Sequence, residues 1–290
     1  MEAIMVSGLT KSYGKARGID GLTLRVGEGE FFGFIGPNGA GKSTTIRTLI
    51  GLIKADAGKA EIFGKDIQAE NRKILEETGY LPSEAIFYPG MKVGEVIELS
   101  AKLRGRDCKG EAEELCSRLE LDRGKKVREL SFGNRKKLGI VCALQHSPRL
   151  CILDEPTSGL DPLMQREFFG ILREKNAAGM TIFLSSHILT EVQQYCSRAA
   201  VIREGKIIAC DSVEALADTK AKRVHVRGNI NIAGLCGVKD ICKGQGELSF
   251  LYSGRMGELL TVLSGQEVED LSISEPDLEE IFMHYYKETV

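Results

Sequence analysis

The chain has 290 residues, of which 42% are hydrophobic and 28% charged, and its formal net charge is -2. This length suits one large domain, or a domain of about 200 residues with a smaller one, and either can bury a substantial core. The slightly acidic balance does not support a polyanion-binding surface, so bulk charge gives no indication of a nucleic-acid partner. No run of about 18 apolar residues and no basic leader before an apolar stretch occurs, so at a membrane we expect a partner to supply the span.

The eight cysteines suggest a disulfide framework or a metal site until their spacing is considered. No C-x-x-C pair occurs among them. Several lie in apolar runs, as Cys151 does in Leu-Cys-Ile-Leu, where cysteine behaves as a small hydrophobe. We therefore expect reduced thiols in a cytosolic protein.

The N-terminal stretch alternates apolar and polar residues. Residues 3–9 and 22–26 show this period and are separated by a turn-prone segment around Gly14 and Gly18, which predicts antiparallel strands. Tyr13 lies in that segment and is expected in a loop. A lone tyrosine is more often structural, but residues 36–44 form a phosphate-binding pattern, described next, and ahead of such a loop the ring is a candidate for stacking on adenine.

Residues 36–44, Gly-Pro-Asn-Gly-Ala-Gly-Lys-Ser-Thr, fit the phosphate-binding pattern G-x-x-x-x-G-K-S/T. The apolar run 31–35 precedes them and predicts a strand. A helical period follows, carried by Ile46, Leu49, Ile50 and Ile53. A strand, a glycine-rich turn and a helix are the context that this motif needs, which makes a chance glycine-rich turn the weaker interpretation.

The expected chemistry of this loop follows from its backbone. Glycines let successive N–H groups turn inward toward phosphate oxygens, and the following helix adds its positive N-terminal end. We expect Lys42 to contact the β and γ phosphates and the Ser43 hydroxyl to bind Mg²⁺. The predicted nucleotide cradle comprises Gly36, Pro37, Asn38, Gly39, Ala40, Gly41, Lys42, Ser43 and Thr44.

The middle of the chain changes from strand to helix periodicity. Residues 58–63 predict a strand, and residues 79–84 end another strand in a turn. Helical patterns then cover 93–103, 111–119 and 134–145. We expect an α-helical subdomain inserted at about 84–148, with the core resuming at residue 150.

The short apolar run 150–153 is typical of a parallel strand that is buried on both faces, and it ends in Asp154 and Glu155. Ligands of open α/β sheets bind outside the carboxyl ends of the strands, where these two carboxylates are expected. Asp154 is a candidate for the Mg²⁺ shell, and Glu155 for polarising the water that attacks the γ phosphate. An acid pair that merely caps local structure is the alternative.

Another buried strand is predicted at 181–184, and it leads to His187. A lone histidine after a strand is usually structural. At the carboxyl edge of a sheet beside a triphosphate, it is a candidate for contacting the γ phosphate. Residues 199–202 and 206–209 then predict a hairpin.

The segment Leu130-Ser131-Phe132-Gly133-Asn134 resembles the signature of ATP-binding cassette (ABC) ATPases. The resemblance covers residues 2 to about 215, and its elements occur in the order of that family. They are the aromatic residue Tyr13, the phosphate loop, the signature, the Asp154-Glu155 pair, the segment Ser158-Gly159-Leu160-Asp161, which is similar to the D-loop, and the switch histidine His187.

This resemblance implies a fold and a mechanism. The expected fold is α/β: a P-loop NTPase ABC cassette with a RecA-like core, antiparallel β structure and an inserted α-helical subdomain. The family pairs two copies head to tail, so the signature of one chain covers the ATP of the other. Ser131, Gly133 and Asp161 are therefore expected at the nucleotide of a second copy, and the cofactors are ATP and Mg²⁺.

The chain departs from the family pattern at two positions. Phe132 stands where the signature usually has glycine, although Ser131 and Gly133 are kept. Ser83 stands about where the family carries a glutamine that touches Mg²⁺ and relays movement, and either Ser83 or Glu84 could substitute for it.

Three basic residues, 135–137, follow the signature. They make a poor nucleic-acid patch, because acidic residues outnumber basic ones in the chain and no aromatic residues interleave with them. We interpret the triplet as a solvated helix face.

Residues 216–290 are expected to form a small α+β accessory domain, after an ABC ATP-binding domain at 1–215. Val224 and Val226, then Leu248, Phe250 and Tyr252, alternate as strands, and so do residues 268–273. A helix is indicated by Met256, Leu259, Leu260 and Leu263, and a capped helix start at 274–277 leads into a second one at 278–285.

The end of the chain, Asp-Leu-Ser-Ile-Ser-Glu-Pro-Asp-Leu-Glu-Glu-Ile-Phe at 270–282, resembles the tails of bacterial ABC ATPases that serve drug and antibiotic-peptide efflux. The tail carries no catalytic constellation, and it is too short for the paired barrels of sugar importers. This resemblance favours export over import, with regulation or dimer support as the role of the tail.

The hypothesis is therefore an ATP-hydrolysing subunit of an ABC transporter. It would be a cytoplasmic homodimer, held at the inner face of the cell membrane by integral membrane permease subunits, and it would export drugs, peptides or similar compounds. The alternative is a soluble ABC ATPase acting on nucleic acid or the ribosome, but such proteins usually carry two cassettes or long coiled coils. A small GTPase or a P-loop kinase would not explain the signature and D-loop.

Overall fold

The computed structural model describes residues 1–14, 16–217, 222–232, 234–244 and 246–274. The chain divides into two compact units between Val213 and Glu214. In the described parts of the chain, no helix has both the length and the apolar character of a membrane span.

An antiparallel sheet opens the first unit, with strand order β2-β1-β4-β5. Its strands are β1 (Glu2–Tyr13), β2 (Ala16–Gly27), β4 (Ala57–Ile62) and β5 (Lys65–Asp66). Ile4 pairs with Val26 on one side and with Ile62 on the other, and all three are buried. The predicted antiparallel strands are confirmed, but the loop position predicted for Tyr13 is wrong. Tyr13 pairs with Ala16 and is the last residue of β1, because the strand pairing continues beyond the apolar alternation of residues 3–9.

A six-stranded sheet forms the centre of this unit, in the order β10-β9-β3-β8-β7-β6. The strands are β3 (Phe31–Ile35), β6 (Thr78–Leu81), β7 (Leu150–Asp154), β8 (Thr181–Ser186), β9 (Arg198–Arg203) and β10 (Lys206–Ser212). All neighbours are parallel except the predicted hairpin of β9 and β10. β3, β7 and β8 are buried along their whole length, as expected for unbroken apolar runs between layers.

Helices cover the central sheet and form the inserted segment. They are α1 (Lys42–Leu49), α2 (Asn71–Glu77), α3 (Val93–Leu103), α4 (Lys109–Arg118), α5 (Phe132–Leu144), α6 (Pro162–Ala177) and α7 (Leu189–Tyr195). The short helix α8 (Val213–Ala217) begins at the division between the two units. The three predicted helices of the insert are confirmed as α3, α4 and α5.

The helix after the phosphate loop is shorter than its apolar period predicts. It ends at Leu49, and Gly51 follows with a φ of 75°. The N–H groups of Leu52 and Ile53 both donate to the Arg47 carbonyl, which closes the helix end. Ile53 therefore lies outside the helix, although it continues the apolar spacing of Ile46 and Leu49.

His146, which follows α5, gives a pH-dependent prediction. It is 3% exposed, and burial together with the positive charge of Arg104 lowers its pKa to about 3, from 6.5. Between pH 6.5 and pH 3, His146 gains a proton in the unfolded chain but not in the folded chain. The free energy of unfolding is therefore highest above pH 6.5 and falls as the pH decreases toward 3. At pH 5 this group should cost about 2 kcal/mol of unfolding free energy.

Urea unfolding at pH 7 and pH 5 checks this expectation. From pH 7 to pH 5, the free energy of unfolding should fall by about 2 kcal/mol less in His146→Gln than in the wild type, because glutamine stays neutral at both pH values. An equal loss in both proteins would contradict it.

The second unit contains a four-stranded antiparallel sheet in the order β12-β13-β11-β14. Its elements are β11 (Lys222–Asn229), β12 (Val238–Lys243), β13 (Glu247–Tyr252), α9 (Met256–Ser264) and β14 (Glu267–Ser274). Its buried core consists of Val224, Val226, Leu248, Phe250, Tyr252, Leu259 and Leu263.

The predicted strands and helix over 224–273 are confirmed, but β12 was not predicted. It is a mostly exposed edge strand, so it has no buried apolar alternation to reveal it. The predicted helix start at Ser274 falls on the last residue of β14, and the helix at 278–285 lies outside the described residues.

Candidate functional site

Three polar segments meet at one edge of the central sheet. β8 lies between β3 and β7, and all three strands are parallel. Their carboxyl ends therefore face the same side, where α/β sheets bind ligands. The phosphate loop follows β3, the Asp154-Glu155 pair closes β7, and His187 follows β8.

The backbone of the phosphate loop requires glycine at two points. Gly41 has a φ of 110°, in the region that disfavours other residues. A Cβ on Gly36 would overlap the Ile202 carbonyl of β9, so the loop can follow β3 this closely only with glycine there. Ala40 is buried and accepts a hydrogen bond from the Gly205 N–H at 2.9 Å. The outer residues Pro37, Asn38 and Gly39 are exposed, while Ser43 and Thr44 are half-buried in the first turn of α1.

The Lys42 ammonium lies inside the loop. It is 6% exposed and donates a hydrogen bond of 2.5 Å to the Gly36 carbonyl. It also lies 3.2 Å from Glu155 Oε1. Lys42 and Glu155, which directly follows β7, therefore form a largely buried ion pair at the sheet edge.

Glu155 is held in an uncommon backbone conformation. Its φ is 50°, which costs a non-glycine residue about 1–3 kcal/mol. Its N–H donates to the Ser185 carbonyl at 3.0 Å, and its Oε2 accepts a hydrogen bond of 2.6 Å from His187 Nδ1. The His187 ring is half exposed. Lysine, glutamate and histidine thus form one chain of contacts across the ends of the three strands.

Asp154 is fully buried beside this chain of contacts. Its Oδ1 accepts a hydrogen bond of 3.2 Å from the Ser185 hydroxyl, whereas Oδ2 has no hydrogen-bond partner within the described residues. A buried carboxylate oxygen without a partner is costly unless a ligand or cation satisfies it. Mg²⁺ takes one or two carboxylates together with hydroxyl and phosphate oxygens, so Asp154 and Ser43 fit such an ion. No cluster of three or more His, Cys, Asp or Glu side chains that could hold a metal occurs in the described segments.

A second buried carboxylate supports the segment of His187. Glu191 on α7 is 8% exposed and accepts a hydrogen bond of 2.8 Å from the Ser186 hydroxyl. The Ser186 oxygen in turn accepts from the Ile188 N–H at 2.9 Å. Burial raises the pKa of Glu191. Sequence reasoning missed this residue, although an acid beside the buried Val192 on a short helix could have drawn attention to it.

The signature and D-loop segments pack on each other. The Ser131 hydroxyl caps α5 by accepting from the Asn134 N–H at 3.2 Å. The Phe132 ring lies against Gly159, where a Cβ would overlap it, and a Cβ on Gly133 would lie 2.6 Å from the Gly159 carbonyl. Asp161 caps α6 through the N–H groups of Leu163 and Met164. The unusual Phe132 is therefore accommodated by a glycine of the D-loop.

These segments do not reach the phosphate loop of their own chain. In the part of the chain that the structure describes, no hydrogen bond or ion pair joins Ser131, Gly133 or Asp161 to residues 36–44. The Tyr13 ring is 43% exposed, with the Lys11 ammonium 5.8 Å from its centroid. The structure thus brings Lys42, Asp154, Glu155 and His187 together at the phosphate loop, and it leaves Tyr13, Ser131 and Asp161 at exposed positions.

The interpretation of residues 135–137 as a solvated face is wrong. Lys136 is 2% exposed and Lys137 is 8% exposed, because α5 packs against β6, α3 and α4. Lys136 Nζ donates hydrogen bonds to the carbonyls of Pro82 at 3.1 Å and Ser83 at 2.8 Å. Long aliphatic stems allow lysines to lie at such positions, so residue type alone did not indicate burial.

An apolar groove of about 1070 Å³ follows the 82–84 turn in the first unit. Its exposed members include Ile86, Tyr88 and Leu103, at 86%, 71% and 81%. Arg72, Glu76 and Arg104 contribute charge to the lining. Contiguous apolar surface with a polar rim marks binding sites for other molecules.

The fold and the geometry of this edge define a P-loop nucleotide-binding cassette with its signature on a separate surface. The family model described as ABC transporter matches residues 19–158. The chain is 35% identical to the bacitracin transport ATP-binding protein BcrA of Bacillus licheniformis, over 97% of this chain and 96% of that protein. It is 34% identical to the daunorubicin resistance ATP-binding protein DrrA3 of Streptomyces coeruleorubidus, over 97% and 95%.

Solved structures agree with these relatives. The structure of an ATP-binding subunit of an ABC transporter superposes on this chain with a TM-score of 0.69 and 30% sequence identity. The match covers 74% of this chain and 91% of that subunit. A nucleotide-free ATP-binding cassette of an ABC transporter has a TM-score of 0.63 at 27% identity, covering 73% and 92%. The chain belongs to the family of ABC transporter ATP-binding proteins. This membership confirms the predicted cassette fold and the prediction of an ATPase.

Proposed function

We propose that two copies of this chain enclose two Mg-ATP molecules and hydrolyse them to drive a separate membrane-spanning exporter. The observation that carries the proposal is the linked set of Lys42, Glu155 and His187 beside the unpartnered Asp154 oxygen. Such a set holds a phosphate-binding cation, a candidate base and a candidate metal ligand at one edge. Residues 1–215 act as the ABC ATP-binding domain and 216–290 as an accessory domain.

Nucleotide binding exchanges contacts within the chain for contacts to phosphate. Backbone N–H groups of the loop 36–44 and the N-terminus of α1 face the phosphate oxygens, and Lys42 transfers its hydrogen bond from the Gly36 carbonyl to them. The exposed ring of Tyr13 offers a face on which adenine can stack. A polyphosphate is thus favoured over a neutral ligand.

Hydrolysis is assigned to the carboxylates at the end of β7. Ser43 and Asp154 would hold Mg²⁺, which when bound neutralises charge on the β and γ phosphate oxygens. Glu155 accepts the proton of the attacking water. His187 donates to Glu155 Oε2, which orients the carboxylate, and its half-exposed ring is free to approach the γ phosphate.

A second copy completes each site. Ser131, Gly133 and Asp161 lie at exposed ends of α5 and α6, and helix N-termini attract anions. Because these residues do not contact their own phosphate loop, they are available to the ATP of another chain. In a head-to-tail dimer, the signature of each chain lies over the phosphate loop of the other chain, so the dimer contains two identical sites.

The names of the relatives support export. They are described as bacitracin transport, daunorubicin resistance and linearmycin resistance ATP-binding proteins, the last from Bacillus subtilis at 31% identity over 97% of this chain. We infer that the cargo is a drug, a peptide or a similar compound. The protein would work in the cytoplasm, at the inner face of the membrane, with integral permease subunits and without nucleic acid.

The apolar groove is assigned to the permease partner. Ile86 and Leu103 are apolar and largely exposed, so a short apolar segment of a cytoplasmic permease loop would bury them. Ile86→Glu and Leu103→Glu are expected to lower the yield of co-purified integral membrane protein by about tenfold or more, since each buries a charge at the contact. The affinity of the purified variants for ATP, measured without the membrane partner, should be unchanged.

Affinity purification from detergent-solubilised membranes of the native host tests this assignment. The matched control is Leu260→Glu, which places the same charge at an exposed leucine of α9 and should retain the partner. Retention of the membrane protein by both groove variants would overturn the assignment. Recovery of ribosomes or DNA instead would overturn the transporter proposal.

A further inference from the structure

Lys136 is a buried amine that the proposed mechanism leaves unused. It lies in the second turn of α5, five residues after Ser131, and is 2% exposed. Its ammonium donates to the carbonyls of Pro82 and Ser83. Removing a lysine ammonium from water is unfavourable unless hydrogen bonds and opposite charges compensate for it. A purely packing role would be met better by an apolar side chain.

The surroundings of Lys136 keep it charged near neutral pH. Burial lowers its pKa to about 8, while the negative charges of Asp154 and Glu155 act in the opposite direction. The ammonium therefore contributes to the field at the catalytic carboxylates as well as to the hydrogen bonds.

A neighbouring residue on the same helix face shows that α5 and the 81–85 segment fit closely. Gly139 lies one turn after Lys136, and a Cβ there would lie 2.8 Å from Leu81 Cδ1 and 3.3 Å from Ala85 Cβ. Leu81 is the last residue of β6 and pairs with Leu153 of β7, next to Asp154. The contact thus joins the signature helix to the strand that precedes the apolar groove.

We propose that Lys136 is a positioning residue that couples the signature helix to the Pro82–Ser83 turn, so that nucleotide-driven dimer closure and the groove segment 86–91 move together. This inference rests on the proposed function, because closure requires ATP between two copies. Lys136 acts through the turn and through α5 rather than on the nucleotide itself.

Hydrogen–deuterium exchange of the full chain tests the coupling. The backbone amides of residues 83–91 are followed with and without Mg²⁺ and a non-hydrolysable ATP analogue. In the wild-type protein the analogue should slow their exchange by about tenfold or more, and in Lys136→Met by less than about threefold. Lys136→Arg, which keeps the charge and the donors, should retain most of the protection. Affinity for the analogue, measured by titration, should stay within about threefold of wild type in both variants.

Two further variants separate coupling from stability. Lys137→Met removes the neighbouring buried lysine, which forms no hydrogen bond with the turn in the described structure, and it should leave the protection unchanged. Lys136→Gln provides a second neutral variant should Lys136→Met not fold, and it should also lose the protection. Equal protection in wild type and in a folded neutral variant would overturn the inference, and so would an absence of protection in a wild-type protein that binds the analogue. Failure of the wild type to bind the analogue would instead overturn the proposed function.

Discussion

Glu155→Gln is expected to bind Mg-ATP with an affinity within about threefold of the wild type, and to lose ATP turnover by about a hundredfold or more. Glutamine keeps the size of the side chain and a hydrogen-bonding oxygen, but it cannot accept the proton of the attacking water. It also removes the negative charge that lies 3.2 Å from Lys42, so phosphate affinity should not fall. Because hydrolysis reopens the proposed dimer, the variant should accumulate as a closed dimer.

Three measurements follow this variant. Phosphate release gives turnover, titration with labelled ATP gives affinity, and light scattering with Mg-ATP gives the mass of the particle. Glu61→Gln, the same change on β4 of the first sheet, is the matched control and should behave as wild type. Full ATPase activity of Glu155→Gln would contradict the assignment of Glu155 as the base that accepts the proton of the attacking water.

Lys42→Ala is expected to weaken ATP binding by about a hundredfold or more. Two charge-assisted contacts to phosphate would be lost, each of about 1.5–3 kcal/mol. The variant also leaves Glu155 without its cationic neighbour, so the site becomes more repulsive to a triphosphate. Titration with labelled ATP at fixed Mg²⁺ measures the effect.

The control for this variant is Lys54→Ala, at an exposed position shortly after α1. It changes net charge equally and should bind ATP as wild type does. If Lys42→Ala bound ATP with wild-type affinity, the assignment of residues 36–44 as the phosphate loop would be contradicted. This conclusion would hold whatever the outcome of the Glu155→Gln experiment.

The sequence was most informative where function depends on local backbone. The loop at 36–44 encodes its own turn, and the apolar runs ending at Ile35 and Leu153 could only be buried strands. Parallel strands share a carboxyl edge, so placing Asp154 and His187 near the loop followed from topology alone. The fold class and the main elements of both units were therefore predictable.

Features that depend on tertiary packing were not predictable in this way. Lys136 looked solvated because hydropathy does not show that α5 is packed on several sides. The contact of Phe132 with Gly159 joins two segments that are distant in sequence, and each residue alone has many explanations. Edge strand β12 has no buried apolar period that could reveal it, and the apolar spacing of α1 continues past the residue at which the helix ends. A periodic pattern in one sequence predicts which face of a single helix or strand is buried. The burial of Lys136 and the contact of Phe132 with Gly159 depend on how two separate elements pack against each other.

The central claim is that each ATP site is built from two chains, and a mixing experiment tests it most directly. Lys42→Ala disables the phosphate loop, and Ser131→Arg disables the signature, so each protein alone should lose nearly all ATPase activity. A mixed head-to-tail dimer contains one intact site, so an equimolar mixture should recover about a quarter of wild-type activity. A mixture as inactive as its two components would contradict the composite site.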